Sequence, residues 1–153
     1  RASQYFHKLR APGAATRMAE DDFARTMRML RGFSDTPWLS DAEAAAYRAA
    51  WGRAGAMEAM LHWYSSSPIV VPEVGAHVPA EVPLLSVPDE KVTVRVPHLL
   101  IWGEADEALR PSCLDELERY APDLTIMRVK DAGHWILHEK PGEVAEAIRT
   151  WVG

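Results

Sequence analysis

The residues of this sequence best suited to chemistry are a histidine and an aspartate, each placed just past an apolar run. His134 follows Gly133 at the exit of one predicted strand, and Asp106 follows another. Both turns would bring their side chains to the same strand edge, where a carboxylate can orient an imidazole and stabilise its protonated form. The pair could therefore supply the acid and base of a hydrolytic triad. A nucleophile on a sharp strand-to-helix turn is not evident in the 153 residues.

Two strands and two helices are predicted around this pair in the C-terminal part of the chain. The apolar runs at 98–102 and 124–129 predict buried parallel strands. After the first strand we expect a helix with Ser112 as its N-cap and with two inward-facing residues, Leu114 and Leu117. Pro141 opens a last helix whose apolar stripe is Val144, Ile148, Trp151 and Val152. Because two strands make a poor sheet, this part is expected to complete a larger parallel sheet.

The first part of the chain, to about Ser65, is predicted to be helical throughout. An acidic opening at 20–22 precedes three apolar residues at helical spacing, Phe23, Met27 and Leu30. A capping box at 40–43 precedes a second stripe, Tyr47, Ala50 and Trp51. A third helix is expected from about Gly55, with one face made of Met57, Met60, Leu61 and Tyr64. Repeated prolines between Ser65 and Val96 then predict an irregular connector.

The composition fits a soluble globular protein. A chain of 153 residues that is 48% apolar and 25% charged can bury a core. The net charge of -5 is spread along the sequence, so neither nucleic acid nor a membrane is predicted as a partner. The six histidines show no ligand spacing and there is one cysteine, so we expect no metal site, no cofactor and a reducing, cytoplasmic compartment. The chain begins with Arg rather than Met, which leaves open a preceding segment.

Two segments resemble motifs of the α/β-hydrolases, closest to the epoxide hydrolases and the haloalkane or haloacid dehalogenases. The stretch 97–109 resembles the strand and turn that deliver the triad acid, and 133–141 resembles the histidine loop. The resemblance covers nearly the whole chain. It implies an α/β fold, namely the C-terminal portion of an α/β-hydrolase with its last two parallel strands, preceded by a helical cap. The implied domains are a cap (lid) at 1–67, a proline-rich connector at 68–96 and the C-terminal part of the core at 97–153.

The resemblance also implies roles for single residues. His134 matches the general base for water, and Asp106 matches its acid partner. Tyr64, in the segment 61–64, matches the cap tyrosine that points over the active site. The substrate pocket is expected to include His62, Trp63 and Trp135.

The start of the cap departs from the family pattern. The pair Tyr5-Phe6, followed by the segments 11–13 and 21–22, is similar to the start of the family's cap, where a second ring-opening tyrosine often stands a few residues before the pair. This sequence has Arg1-Ala2-Ser3 there. Tyr64 is therefore the only well-matched proton donor.

Each assignment has an alternative that the residues leave open. His134 could be a buried structural histidine, and Glu104 or Glu107 competes with Asp106 for the role of the acid. Some relatives take that acid from an earlier strand. Tyr64 shares a helical face with apolar residues, which also fits a tyrosine packed inside the cap.

The chemistry implied by the resemblance is the opening of an epoxide through a covalent aspartyl ester. An aspartate outside this chain would attack carbon, and water activated by His134 would hydrolyse the ester. The substrate is expected to be small and apolar. A dehalogenase is the nearest alternative, followed by a serine esterase or carbon-carbon bond hydrolase of the same fold.

A different class of function is also open. With the nucleophile and oxyanion amides in a missing N-terminal half, this chain alone is expected to be inactive, and the parent protein would be the enzyme. The alternative is a stable fragment or a ligand-binding module without turnover. Such a piece would expose the edge of its sheet and would tend to form a homodimer.

Overall fold

The computed structural model describes residues 2–153, which divide into two compact units. The first unit contains the residues up to Gly32 together with Leu39–Ser86, and the second contains Phe33–Trp38 together with Val87–Gly153. Arg1, the first residue of the predicted helical part, lies outside the described residues. No helix within residues 2–153 is long and apolar enough to span a bilayer.

The first unit is built from helices up to Ser66, as the sequence predicts. A short 3-10 turn, Ala2–Gln4, leads into α1 (Tyr5–Arg10) and α2 (Ala14–Arg31), and α3 (Asp41–Trp51) and α4 (Ala56–Ser66) follow. The buried apolar side chains of this unit include Phe6, Leu9, Met18, Met27, Leu30, Trp51, Met57 and Leu61. The three apolar stripes predicted for this unit are buried or half-buried at most of their positions, but Ala50 and Met60 are exposed.

Helix α2 is broken by a left-handed turn at its acidic segment. Glu20 is extended with ψ 150, and Asp21, Asp22 and Phe23 have φ values of 52, 52 and 61. Left-handed backbone costs an L-residue roughly 1–2 kcal/mol, so this turn is a strained part of the unit. The acidic residues stand just before the second half of α2. The positive end of that helical segment stabilises carboxylates placed there. Asp22 is also held by Arg48, whose Nε lies 2.9 Å from its carboxylate.

The proline-rich stretch contains no strand. It carries a 3-10 turn at Pro83–Ser86 and the short α5 (Asp89–Val92). Apart from Val82, which is buried, most of its side chains are exposed.

The second unit contains one parallel pair of strands. β1 (His98–Gly103) pairs with β2 (Leu124–Val129) in a register that runs from His98 opposite Leu124 to Gly103 opposite Val129. Both strands lie where the apolar runs predict them, and their carboxyl ends meet at one edge. The connection holds a 3-10 turn, Pro111–Leu114, and α6 (Leu117–Tyr120), while α7 (Ile136–Glu139) and α8 (Pro141–Val152) follow β2.

The N-cap predicted at Ser112 is wrong. Ser112 lies inside the 3-10 turn that Arg110 precedes, and the amide of Asp115 bonds to the carbonyl of Ser112 at 3.3 Å. The backbone of Asp115 is then extended and Glu116 is left-handed, so α6 begins only at Leu117. The short-range bonding of the turn leaves no free helix end for the Ser112 hydroxyl to cap.

The apolar stripe predicted on α8 is only partly buried. Val144 is buried, whereas Ile148 is 46% exposed, Trp151 39% and Val152 70%. A sheet of two strands offers too little surface to cover a helix of this length. The same helix and strands line an open apolar groove of about 690 Å³ with Leu99, Met127, Ala147 and Trp151.

The capping box predicted at Ser40 is confirmed, because both of its hydrogen bonds are present. It leads to a prediction about stability. The Glu43 amide donates to Ser40 Oγ at 3.2 Å, and the Ser40 amide donates to Glu43 Oε2 at 2.8 Å. Ser40→Ala is expected to lower the free energy of unfolding by about 1 kcal/mol in denaturant titrations. Ser112→Ala is the matched control, since its hydroxyl caps no helix, and a change within about 0.5 kcal/mol is expected. Equal losses in both variants would contradict the capping role.

Candidate active site

The turn after β1 presents Asp106 with both carboxylate oxygens engaged. Oδ1 accepts the backbone N–H groups of Ala108 at 2.8 Å and Leu109 at 2.9 Å. The side chain is 9% exposed. This fixes the carboxylate at the carboxyl edge of the strand pair and leaves Oδ2 for a further partner.

That partner is His134, as the sequence predicts. Its Nδ1 lies 3.0 Å from Asp106 Oδ2, and its side chain is 27% exposed. An ionised carboxylate can only accept a hydrogen bond, so Nδ1 carries a proton, and in the neutral imidazole Nε2 then holds the lone pair. The arrangement suits an imidazole that takes a proton through Nε2 and passes it on. Glu104 and Glu107, the competing acids, are both exposed.

The loop at residues 130–135, which carries His134 and is called the histidine loop below, is held by Glu139 of α7. The sequence analysis gave Glu139 no role. The Gly133 amide donates to Glu139 Oε2 at 2.6 Å, and the Trp135 amide donates to Oε1 at 3.2 Å. Between them, the His134 amide donates to the carbonyl of Phe33 at 3.3 Å. Three successive amides of a loop without regular structure are therefore satisfied. The only signal in the sequence is the carboxylate itself, inside the stretch that resembles a histidine loop.

Gly103 allows the two turns to approach each other. A Cβ at this position would lie 2.5 Å from the Gly133 carbonyl oxygen and closer still to that of Ala132. The close approach permits the Ala105 amide to donate to the Ala132 carbonyl at 3.0 Å. The acid turn and the histidine loop are thus joined by main-chain contact, which only glycine at position 103 permits.

Aromatic rings flank the His134 imidazole. Phe33 lies edge-on to it with a centroid distance of 5.7 Å, and Trp135 lies 4.8 Å away at 71°. Trp38 in turn contacts Trp135 and stacks on His138. Trp135 was predicted at the site, whereas Phe33 was missed because nothing in its local sequence links it to the loop.

The remaining predicted residues belong to the first unit. Tyr64 is half-buried against a ring cluster, and its centroid lies 5.0 Å from that of Phe6 and 4.9 Å from that of Trp63. Tyr64 and Trp63 line an apolar cavity of about 260 Å³ with Leu9, Met18, Thr26, Met29, Met57, Met60 and Leu61. His62 does not line it, being exposed with Nε2 3.0 Å from Ser66 Oγ.

Burial raises the pKa of Tyr64 above its ordinary value of 10.0. The phenol therefore remains a hydrogen-bond donor at neutral pH. Because the folded state holds this proton more tightly than the unfolded chain, the associated stability is complete below the ordinary value and is lost as the pH rises through the raised one.

This shift predicts a late step in an alkaline titration. Followed by tyrosinate absorbance, Tyr64 should ionise above its ordinary range, and Tyr64→Phe should abolish that step. Tyr47→Phe serves as the control and should leave the late step in place. If the late step survived in Tyr64→Phe, it would not belong to Tyr64.

Within residues 2–153, no group of three His, Cys, Asp or Glu side chains is placed to hold a metal ion. The single cysteine, Cys113, is exposed. The polar groups brought together at the strand edge are the carboxylates of Asp106 and Glu139 and the His134 imidazole.

Three known proteins show where this chain belongs. It is 32% identical over 149 residues to the AB hydrolase superfamily protein YfhM of Bacillus subtilis (strain 168), covering 97% of this chain and 46% of that protein. An epoxide hydrolase of the α/β-hydrolase superfamily, from metagenomes of hot environments, superimposes with a TM-score of 0.80 and 30% identity. A mutant epoxide hydrolase from Bacillus megaterium superimposes with a TM-score of 0.78 and 26% identity.

Both structural matches cover 99% of this chain and about half of the other chain, 50% and 51% respectively. The chain thus spans about half the length of these relatives. No family model matches it.

Parallel strands whose carboxyl ends carry the polar groups of a site are typical of α/β proteins. The second unit has this arrangement, with its aspartate and histidine at that edge. The chain belongs to the α/β-hydrolase superfamily, and its strands and helices form the C-terminal portion of that fold.

Proposed function

We propose that the protein containing this chain is an epoxide hydrolase in which His134 and Asp106 activate water. The observation that carries the proposal is the 3.0 Å contact between His134 Nδ1 and Asp106 Oδ2, which orients Nε2 as a base. The likeness to epoxide hydrolases over nearly the whole chain supports the choice of substrate class. The nucleophile is proposed to be an aspartate outside these 153 residues.

The first step is attack on the epoxide. A carboxylate oxygen of the nucleophile bonds to a ring carbon, and the bond from that carbon to the ring oxygen breaks. The phenol of Tyr64 donates its proton to the resulting alkoxide, which becomes a hydroxyl group. The phenol of Tyr64, whose pKa burial raises above its ordinary value of 10.0, holds this proton at neutral pH until the ring opens.

The second step is hydrolysis of the ester. His134 Nε2 removes a proton from water, and the water oxygen bonds to the ester carbonyl carbon. The bond from that carbon to the diol oxygen then breaks, and the imidazolium proton passes to the leaving oxygen. The remaining water proton restores Tyr64. The net reaction adds one water to one epoxide and gives a diol.

The proposed substrate is a small apolar epoxide. The cavity beside Tyr64 is lined by methionine, leucine and aromatic side chains, and a pocket of this kind favours an apolar ligand. At about 260 Å³ it lies just below the usual range of ligand-pocket volumes, which suits a small ligand. Neither a cofactor nor a nucleic-acid partner enters this proposal.

A single-turnover experiment in ¹⁸O-labelled water tests the mechanism. With the full-length protein in excess over styrene oxide, the first diol should be unlabelled, since its new oxygen comes from the carboxylate. Repeated turnovers should then introduce label. Direct attack by water would label the first diol and would overturn the ester mechanism.

A substrate panel tests the choice among hydrolases. Styrene oxide, 1-chlorohexane and p-nitrophenyl acetate represent an epoxide, a haloalkane and an ester. Turnover of the epoxide alone or well above the others is expected. Turnover confined to the haloalkane or the ester would replace the proposal with a dehalogenase or an esterase.

A further inference from the structure

The carboxylate of Glu139 makes two hydrogen bonds to the loop that carries the proposed base. Its oxygens accept the amides on either side of His134, from Gly133 at 2.6 Å and from Trp135 at 3.2 Å. The Glu139 amide also donates to the Trp135 carbonyl at 3.0 Å, so Glu139 is tied to the loop by both side chain and main chain. A change in this carboxylate therefore acts first on the backbone around His134.

The amides of the loop that carries His134 need acceptors from outside regular structure. Residues 130–135 lie between β2 and α7 without regular hydrogen bonding, so their amides need other acceptors. The Phe33 carbonyl satisfies the His134 amide, and Glu139 satisfies the two amides beside it. A side chain at Gly133 would meet Glu139 Oε1 at 3.1 Å and the Phe33 oxygen at 3.2 Å, which shows how closely these acceptors fit around the loop.

We propose that Glu139 is a positioning residue that holds the His134 ring in line with Asp106 for hydrolysis of the ester. The inference rests on the proposed function, because it assigns Glu139 to the second chemical step. An ionised carboxylate is suited to this role, since it can accept from two amides at once and offers no donor to oppose them.

Glu139→Gln is the most direct test of this role. Glutamine has nearly the same shape but only one accepting oxygen, so its NH₂ group would face one of the two amide donors. Turnover is expected to fall on the order of tenfold to 100-fold, the effect of a small displacement of a catalytic group. Attack on the epoxide does not use His134, so kcat/KM should change little while kcat and KM fall together. Covalent ester should accumulate, seen as an added epoxide mass on the intact protein.

Two further variants complete the test. Glu139→Asp keeps two accepting oxygens on a shorter side chain, and it should recover part of the lost turnover. Glu118→Gln makes the same charge change at an exposed position and should behave as the unmodified protein. Loss of turnover in Glu139→Gln without ester accumulation, or equal loss in Glu139→Asp, would overturn the positioning role.

A measurement without substrate separates this inference from the proposed function. In ¹⁵N-histidine-labelled full-length protein, long-range ¹H–¹⁵N spectra report which ring nitrogen of His134 carries the proton, with His134→Gln identifying its signals. The Nδ1–H form should dominate, and Glu139→Gln should reduce its share. A protein that turns over no epoxide but shows this change would refute the proposed function alone. An unchanged tautomer in a turning-over protein would refute the role of Glu139 alone.

Discussion

His134→Gln is expected to stop the reaction after the ester has formed. Turnover should fall on the order of 10² to 10⁴-fold, the usual contribution of a general base. Ring opening needs the nucleophile and a proton donor but not the imidazole, so the first step should proceed. Incubation of the full-length variant with styrene oxide, followed by intact-mass measurement, should therefore show one covalent adduct per protein molecule.

His138→Gln is the matched control for this experiment. His138 is exposed and stacks on Trp38 at a centroid distance of 4.4 Å, and it lies in the same segment as His134. Its turnover should stay close to that of the unmodified protein, with no stable adduct. If both histidine variants lost turnover to the same extent, or if His134→Gln formed no adduct, His134 would not be the base for ester hydrolysis.

Gly103→Ala is expected to be the most damaging conservative substitution in the second unit. The new Cβ would meet the carbonyl oxygens of Ala132 and Gly133, and these are backbone atoms that cannot rotate away. Overpacking of this kind typically costs about 1–3 kcal/mol and sometimes more. Denaturant titration should show that loss, and turnover should fall with it, because relief of the clash would move the His134 loop away from Asp106.

Gly142→Ala makes the same chemical change where space is available. Outside its chain neighbours and the backbone of its own helix, no atom lies within 4 Å of the added Cβ, and Gly142 stands in the first turn of α8. Alanine is favoured over glycine in a helix by up to about 1 kcal/mol, so this variant should be as stable as the unmodified protein or more so. A Gly103→Ala protein of unchanged stability would show that the two turns do not depend on their close approach.

The acid and the histidine could be predicted because local patterns carry the necessary information. An apolar run that ends in a turn residue predicts a strand exit, and parallel strands bring their exits together. Asp106 and His134 were placed on this reasoning, and they are found 3.0 Å apart. The capping box at Ser40 is equally local, since both partners lie within one helical turn.

The residues that were missed depend on the packing of distant segments. Phe33 reaches the His134 loop from far away in the chain, and Gly103 is required only because another backbone segment crosses it. Neither of these long-range contacts produces a periodic pattern in the sequence. The N-cap prediction at Ser112 is wrong for a different reason. A hydroxyl three residues before an acid, here Asp115, resembles a cap whether or not a helix follows.

The left-handed backbone at residues 21–23 could not be predicted from the sequence. Aspartate tolerates this conformation better than most residues, but phenylalanine does not favour it. The exposed stripe of α8 is also invisible locally, since periodicity predicts which face is apolar and not how much surface is available to cover it.

The join between the acid turn and the histidine loop has a consequence for engineering. The amides of Glu104 and Ala105 make the connecting bonds, to the carbonyls of Val129 and Ala132, while their side chains are exposed. Almost any residue supplies the same amide. A library randomised at positions 104 and 105, with proline left out, could therefore vary the surroundings of the site while Asp106 and His134 keep their relative placement.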